Sequence, residues 1–268
     1  MINALPRIAI AMHDYEAAVE TFRTTFGMPV LDFSDTTVPD LGAHVGMCMP
    51  PGGSNIELMS PANPDLPLSQ ALSKFLERRG EGLYALMLEA ADPNAEAQEL
   101  LDRDVAVLPL MAGAGGRDVH PRSTNGVLIR VYPDNSVGDH DQQPSGAPGL
   151  SGIAKVTVAT ADASKAADAY RRGLGLDVDE PVEDPERGVL SARARAPKGA
   201  DIELVSTIDN RQAFGAAINE FVTTKGEGMY SLHLQADDPV AATERLGRSL
   251  DTANDLEVFG TRFCIEAA

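Results

Sequence analysis

Residues 14–27 read DYEAAVETFRTTFG, and residues 162–175 read DASKAADAYRRGLG. In both, an Asp and a Gly stand 13 positions apart. Asp accepts hydrogen bonds from the free N–H groups that open a helix, and Gly takes the left-handed conformation that closes one. The two stretches predict equivalent helices, 148 positions apart. Further out, Ile56-Glu57-Leu58 returns as Ile202-Glu203-Leu204, and Gly80-Glu81-Gly82 as Gly226-Glu227-Gly228, each 146 positions later. Landmarks in one order at a nearly constant offset mark a duplicated unit. The chain reads as unit one at residues 1–133, a linker at 134–150, and a shortened, diverged unit two at 151–268. The linker rests on DNSVGDHDQQPSGAPG at 134–149, whose Pro, Gly and polar content suits no regular element.

Inside unit one the elements alternate. A strand over 7–12 leads to the first helix, which runs to about Phe26, and strands follow near 29–33, 44–49 and 55–59. A helix over 66–79 stops at Gly80, a strand covers 83–89 and a helix 93–102. Strands near 106–110, 117–120 and 126–132 complete the unit. This is strand–helix–strand–strand–strand twice over. Two such units make four βαβββ modules, an α+β chain.

Composition excludes several partners. Forty acidic against 22 basic residues leave a formal charge of −18, the wrong sign for nucleic acid or an anionic membrane surface. Trp is absent and aromatics make up 5%, which disfavours a stacking platform for bases or sugars. Cys48 and Cys264 are too few for a disulfide framework or a four-Cys zinc site; both sit in apolar strands, where thiols pack inertly. No run of eighteen apolar residues occurs, and residues 1–6 lack the core of a signal peptide. A cytoplasmic location is expected, with a small-molecule partner, no membrane partner, and a monomer or homodimer as the assembly.

Four stretches together resemble the vicinal oxygen chelate superfamily, which holds glyoxalases, extradiol dioxygenases and bleomycin-resistance proteins. They are RIAIAMHD at 7–14, IELMSP at 56–61, GEGLYALMLEA at 80–90 and AGAGGRDVHPRSTNGVLIRV at 112–131. The last is similar to methylmalonyl-CoA epimerase-like members, where a Gly-rich turn, a His-Pro-basic-Ser loop and Gly-Val-Leu-Ile run together. The resemblance spans nearly all of unit one. Unit two has no counterpart of the His-Pro loop. The resemblance implies paired modules whose mixed sheets curl into a cup, with four inward side chains holding a divalent metal.

Carried onto this chain, those four positions are Arg7, Glu57, Ala85 and Arg130 in unit one, and Lys155, Glu203, Ser231 and Glu266 in unit two. Metal ligands need lone pairs, and Arg, protonated Lys and Ala offer none. The expectation is therefore no metal and no cofactor. Cations would stand where the metal's charge stood, with Arg7 and Arg130 flanking Glu57, and Lys155 beside Glu203 and Glu266. Two readings stay open. One is a set of salt bridges plugging a disused cup, because a buried carboxylate demands a partner. The other is a cationic cup that polarises a carbonyl or binds a carboxylate, for which the forked donors of Arg are suited. The epimerases' catalytic carboxylate on the third strand falls at about Val45, which leaves ordinary methylmalonyl-CoA epimerisation without its base.

Strand alternation places Leu83 and Met87 on the face of Ala85, and Met229 and His233 on that of Ser231. His233 would meet Glu203 and Glu266 as an acid/base pair, or serve as a hydrogen-bonded packing residue. Tyr84 and Tyr230, one residue earlier, should point away from the cups. His120, Arg122 and Ser123 are candidates for substrate contact at the mouth of the first cup, as is Lys155 in the second. The plainer reading is that the 120–126 loop only makes a turn. Gly113-Ala114-Gly115-Gly116 lacks the Lys-Ser/Thr and the helix of a phosphate loop.

These residues point to a metal-independent enzyme of the isomerase, epimerase or lyase kind, moving a proton on a small carbonyl or thioester substrate. Glu57 is the expected base, with Arg7 and Arg130 stabilising enolate charge; His233, Glu203 and Glu266 are the matching set in unit two. The alternative is a non-catalytic protein that sequesters a small molecule, as bleomycin-resistance proteins do. An extradiol dioxygenase would need two His and a Glu on iron, of which only Glu266 is present.

Overall fold

The computed structural model describes residues 1–34, 41–111, 113, 115–138, 146, 148–250 and 256–268. The first half runs β1 (Ile2–Ala11), α1 (Tyr15–Thr24), β2 (Val30–Asp32), β3 (Ala43–Cys48), β4 (Asn55–Pro61), α2 (Pro67–Arg79), β5 (Gly82–Ala90), α3 (Pro93–Asp102), β6 (Arg117–Val119) and β7 (Leu128–Tyr132). The second runs β8 (Leu150–Ala159), α4 (Ala163–Asp168), β9 (Asp177–Val178), β10 (Val182–Asp184), β11 (Val189–Arg195), β12 (Asp201–Thr207), α5 (Ala213–Lys225), β13 (Gly228–Ala236), α6 (Pro239–Leu250), β14 (Leu256–Val258) and β15 (Thr261–Ala267). Among the described residues no helix is long and apolar enough to cross a membrane.

Each half builds one mixed sheet, in the orders β2-β3-β4-β1-β5-β7-β6 and β10-β11-β12-β8-β13-β15-β14. The central strand runs parallel to one neighbour and antiparallel to the other, as β1 does with β4 and β5. The architecture is α+β, with one mixed sheet in each half.

Local chemistry sets the helix ends. Asp14 and Asp162 accept hydrogen bonds from the opening amides of α1 and α4, from Ala17 in one and from Ser164 and Lys165 in the other. Gly80 and Gly226 close α2 and α5 at φ of 77° and 79°, a conformation that costs other residues strain.

Period-two alternation then divides each strand between two faces. Ile8 and Ile10 of β1, Ile56 and Leu58 of β4, and Val156 and Val158 of β8 enter one core shared by both sheets. Phe22 of α1 and Phe26 just after it cross to Phe263 of β15, with ring centroids 6.0 and 5.1 Å apart. The intervening residues, Arg7, Ala9 and Ala11 on β1 or Lys155, Thr157 and Ala159 on β8, are left for the opposite face.

Three sequence expectations are corrected. Residues 106–110 form a single bridge, Val107 to Val119, instead of a strand, because Pro109 has no N–H to extend a ladder. Tyr84 and Tyr230 do not turn away from their cups. A register shift between Leu83 and Ala85, and another between Met229 and Ser231, put each tyrosine on the same face as the residue after it. The same shifts send Leu83 and Met229 to the shared core. Tyr84 therefore packs with Ala85 and Met87, and Tyr230 stacks edge-on against Phe214 and Phe221. At the described start of residues 134–150, Asn3 donates to Asp134 at 2.7 Å, and Glu89 accepts from Ser136. Residues 139–145 and 147 of the expected linker, like Ala114 of the Gly-rich turn, lie outside the described residues.

Candidate functional site

In the first sheet the face left over by the core gathers Arg7, Glu57, Met59, Arg130 and Tyr132. With Phe33, Leu41, Val45, Met47 and Leu68 they line a half-open cavity of about 370 Å³, the scale of a small-molecule site. Val45 contributes an apolar wall. Ser136 and Val137 close one side. They are held there by Glu89 of β5, which accepts the Ser136 backbone N–H at 2.7 Å and its hydroxyl at 2.6 Å.

Arg7 Nε lies 3.1 Å from Glu57 Oε2, with each side chain 7% exposed. Neither atom has a hydrogen bond. The contact is an ion pair whose N–H points off the line to the oxygen. The Tyr132 ring lies under the guanidinium, its centroid 4.2 Å from Arg7 Cζ, a cation–π seat that fixes the cation. Burial, then the nearby Glu57 charge, pushes the Tyr132 hydroxyl above its ordinary pKa, so the phenol stays neutral.

Arg130 shares the cavity but does not flank Glu57 as a free cation. Strand β6 sets Asp118 directly opposite it, and the Asp118 carboxylate accepts from Arg130 Nε and Nη2 at 2.5 and 2.6 Å. Burial works against the guanidinium charge, yet the bonds to Asp118 outweigh it and raise the pKa above the ordinary value.

The residues at the four metal positions do not fit a metal. In the first half Arg7, Ala85 and Arg130 bring no lone pair, and the one carboxylate, Glu57, is engaged by Arg7. Among the described residues no group of three or more His, Cys, Asp and Glu side chains could hold a metal ion.

In the second sheet the same face is filled by a polar network. Arg187 binds both Glu203 oxygens at 2.7 and 3.3 Å, and Thr157 Oγ1 donates to Glu203 Oε2 at 3.0 Å. His233 Nε2 meets Thr157 Oγ1 at 2.9 Å and Ser231 Oγ at 3.1 Å; its Nδ1 lies 3.3 Å from Glu266 Oε2. Lys155 Nζ stands 3.4 Å from Glu266 and 4.0 Å from Glu203. The expected set of Lys155, Glu203, His233 and Glu266 is thus brought together, with Glu203 reached from His233 through Thr157. Burial and then the Lys155 charge lower the His233 pKa to about 4, against the opposing pull of Glu266. Burial favours protonation of Glu203, but its bonds to Arg187 prevail and leave its pKa below the ordinary value. Cys264 is half-buried beside this network instead of in the core; burial raises its thiol pKa.

The His120 loop goes elsewhere. His120 Nδ1 accepts the Arg122 amide at 3.0 Å, and Ser123 Oγ accepts the Ala106 amide at 3.0 Å, so both side chains build the turn. The loop packs on the other half of the chain. Asn125 donates to the Glu227 carboxylate at 3.3 Å, and a Cβ on Gly126 would fall 2.0 Å from the Glu227 carbonyl oxygen. Neither His120, Arg122 nor Ser123 lines the first cavity.

Five contributors escape the sequence reading: Asp118, Tyr132, Arg187, Thr157 and Glu89. Tyr132 and Thr157 lie two residues beyond Arg130 and Lys155, so alternation alone could have placed them. Asp118 needs the β6–β7 register, and Arg187 sits in a turn with no periodic signal.

The geometry and the fold define a vicinal oxygen chelate scaffold, and comparison with known proteins agrees. The family described as Glyoxalase/Bleomycin resistance protein/Dioxygenase superfamily matches residues 7–120. The ethylmalonyl-CoA/methylmalonyl-CoA epimerase of Cereibacter sphaeroides is 32% identical over 138 residues, covering 49% of this chain and 98% of that protein. The chain belongs to this superfamily. A mutant of 4-hydroxymandelate synthase from Streptomyces coelicolor superposes over 92% of this chain and 76% of its own, at 17% identity and a TM-score of 0.64, a likeness of fold. A methylmalonyl-CoA epimerase variant from Streptomyces coelicolor is 28% identical over 52% of this chain and 100% of its own, with a TM-score of 0.42.

Proposed function

We propose that the chain is a metal-independent enzyme of its superfamily, of the isomerase/epimerase or lyase type, acting by proton transfer beside a carbonyl group. The observation that carries this reading is the Arg7–Glu57 pair on the floor of the 370 Å³ cavity. Glu57 Oε2 is buried against Arg7, and in this reading Oε1 is the oxygen offered to a bound molecule. A carbonyl oxygen placed at the Arg7 guanidinium would have its neighbouring C–H within reach of that oxygen. Glu57 takes the proton, and Arg7, fixed over Tyr132, stabilises the enolate oxygen. A positioned base contributes about 10²–10⁴-fold, and a preorganised donor about 10²–10³-fold. The two halves are read as units of one duplication, with the first holding the site. The salt-bridged network of the second then serves as its packed counterpart.

The test is deuterium wash-in from D2O to the carbon beside a carbonyl, run with and without EDTA. Exchange that survives chelation is expected. Exchange that vanishes with EDTA and returns with a divalent ion overturns the metal-independent reading.

A further inference from the structure

The charges inside the first cavity cancel in pairs. Arg7 is answered by Glu57 at 3.1 Å, and Arg130 by Asp118 at 2.5 and 2.6 Å. The other described lining residues are uncharged, and most are apolar: Phe33, Leu41, Val45, Met47, Met59 and Leu68. An additional charge placed among such walls has no partner, and the loss of hydration is then uncompensated. The surface offers no remedy for an anion, because the chain carries 40 acidic against 22 basic residues and repels polyanions at long range. A ligand with several phosphates would find no unpaired Arg or Lys among the described residues of this lining.

We infer that the cavity selects small, uncharged, mostly apolar carbonyl compounds bearing a hydrogen on the adjacent carbon, and discriminates against carboxylates and CoA thioesters. The chemistry rests on the proton-transfer reading above, whereas the selection rests on the charge balance of the lining. In the step itself, Glu57 Oε1 takes the proton from the carbon. The C–H electron pair becomes the new C=C bond, and the carbonyl π pair moves onto oxygen, hydrogen-bonded to Arg7. The reverse step returns a solvent-exchanged proton from Glu57, so no oxidant, reductant or second substrate is consumed.

Binding and exchange can be followed together by NMR in D2O. The probes are 2-phenylpropanal and 2-methylcyclohexanone as neutral carbonyls, 2-phenylpropanoate as the matching anion, and propionyl-CoA as the thioester. The neutral probes are expected to bind about tenfold tighter than the anion and the thioester. That binding is expected to be lost in Met47→Trp, which fills the cavity, and weakened in the milder Val45→Phe, each checked for folding by its melting curve. Equal or tighter binding of propionyl-CoA or the carboxylate overturns the selection. So does failure of both neutral probes to bind, or binding undiminished in both filled variants. Selective binding of neutral probes without deuterium exchange upholds the selection and removes the proton-transfer reading instead.

Discussion

Arg7 Nε and Glu57 Oε2 stand 3.1 Å apart on neighbouring parallel strands, and neither atom has a hydrogen bond. In a pair that served only to neutralise buried charge, a forked or in-line contact would be the favoured geometry. The Arg130–Asp118 pair on the same face has that forked geometry. The two pairs thus differ: Arg130 is held in a fork by Asp118, whereas Arg7 Nε lies beside Glu57 without a hydrogen bond.

Removing the tie has a defined cost. Asp118→Ala leaves the Arg130 guanidinium buried without its counter-charge, and is expected to destabilise the protein by about 3–5 kcal/mol. Asp118→Asn, which keeps one acceptor, should lose less. Urea unfolding midpoints measure both, and wild-type stability in Asp118→Ala would contradict the assignment.

Glu89 is a positioning residue for the cavity wall. Its carboxylate holds two donors of Ser136, and Glu89→Ala leaves both without a partner, at about 1–3 kcal/mol locally. Amide hydrogen exchange at Ser136 and Val137 is expected to quicken while exchange in β1 and β4 stays slow. Unchanged protection at Ser136 would show that other contacts hold the segment.

The second network makes stability depend on pH. His233 is held near pKa 4, against 6.5 for a free imidazole, so between these values the unfolded chain binds a proton that the folded one does not. Stability therefore falls as pH drops from 6.5 towards 4, by at most about 3 kcal/mol. Lys155, Glu203 and Glu266 are the charged groups around the ring. The lowered Glu203 pKa acts in the same direction at lower pH, below 4.5. His233→Gln is expected to flatten the slope of unfolding free energy between pH 6.5 and 4. An unaltered slope would place the titrating group elsewhere.

Much of the fold was legible because it depends on local and periodic chemistry. Asp14, Asp162, Gly80 and Gly226 mark helix ends by their own hydrogen-bonding and conformational needs, and the resemblance to the superfamily's ligand positions put Arg7, Glu57 and Arg130 on one face. The sequence failed where register decides. The shifts at Tyr84 and Tyr230 reverse a side chain without any residue announcing them, and Asp118 reaches Arg130 only through β6 pairing. The two readings of the His120 loop stayed open for a related reason. Its composition suits a ligand-facing turn equally well, and only the approach of Gly126 to Glu227 shows that it packs between the halves.

Glu57 is the residue on which proton transfer would depend most directly. Deuterium wash-in to the neutral carbonyl probes, compared between wild type and Glu57→Gln at equal probe occupancy, isolates the base from binding. The prediction is a fall of about 10²-fold or more in exchange rate, with probe affinity changed little and the melting temperature kept within a few degrees. Exchange at the wild-type rate in Glu57→Gln would contradict the assignment of Glu57 as the proton acceptor.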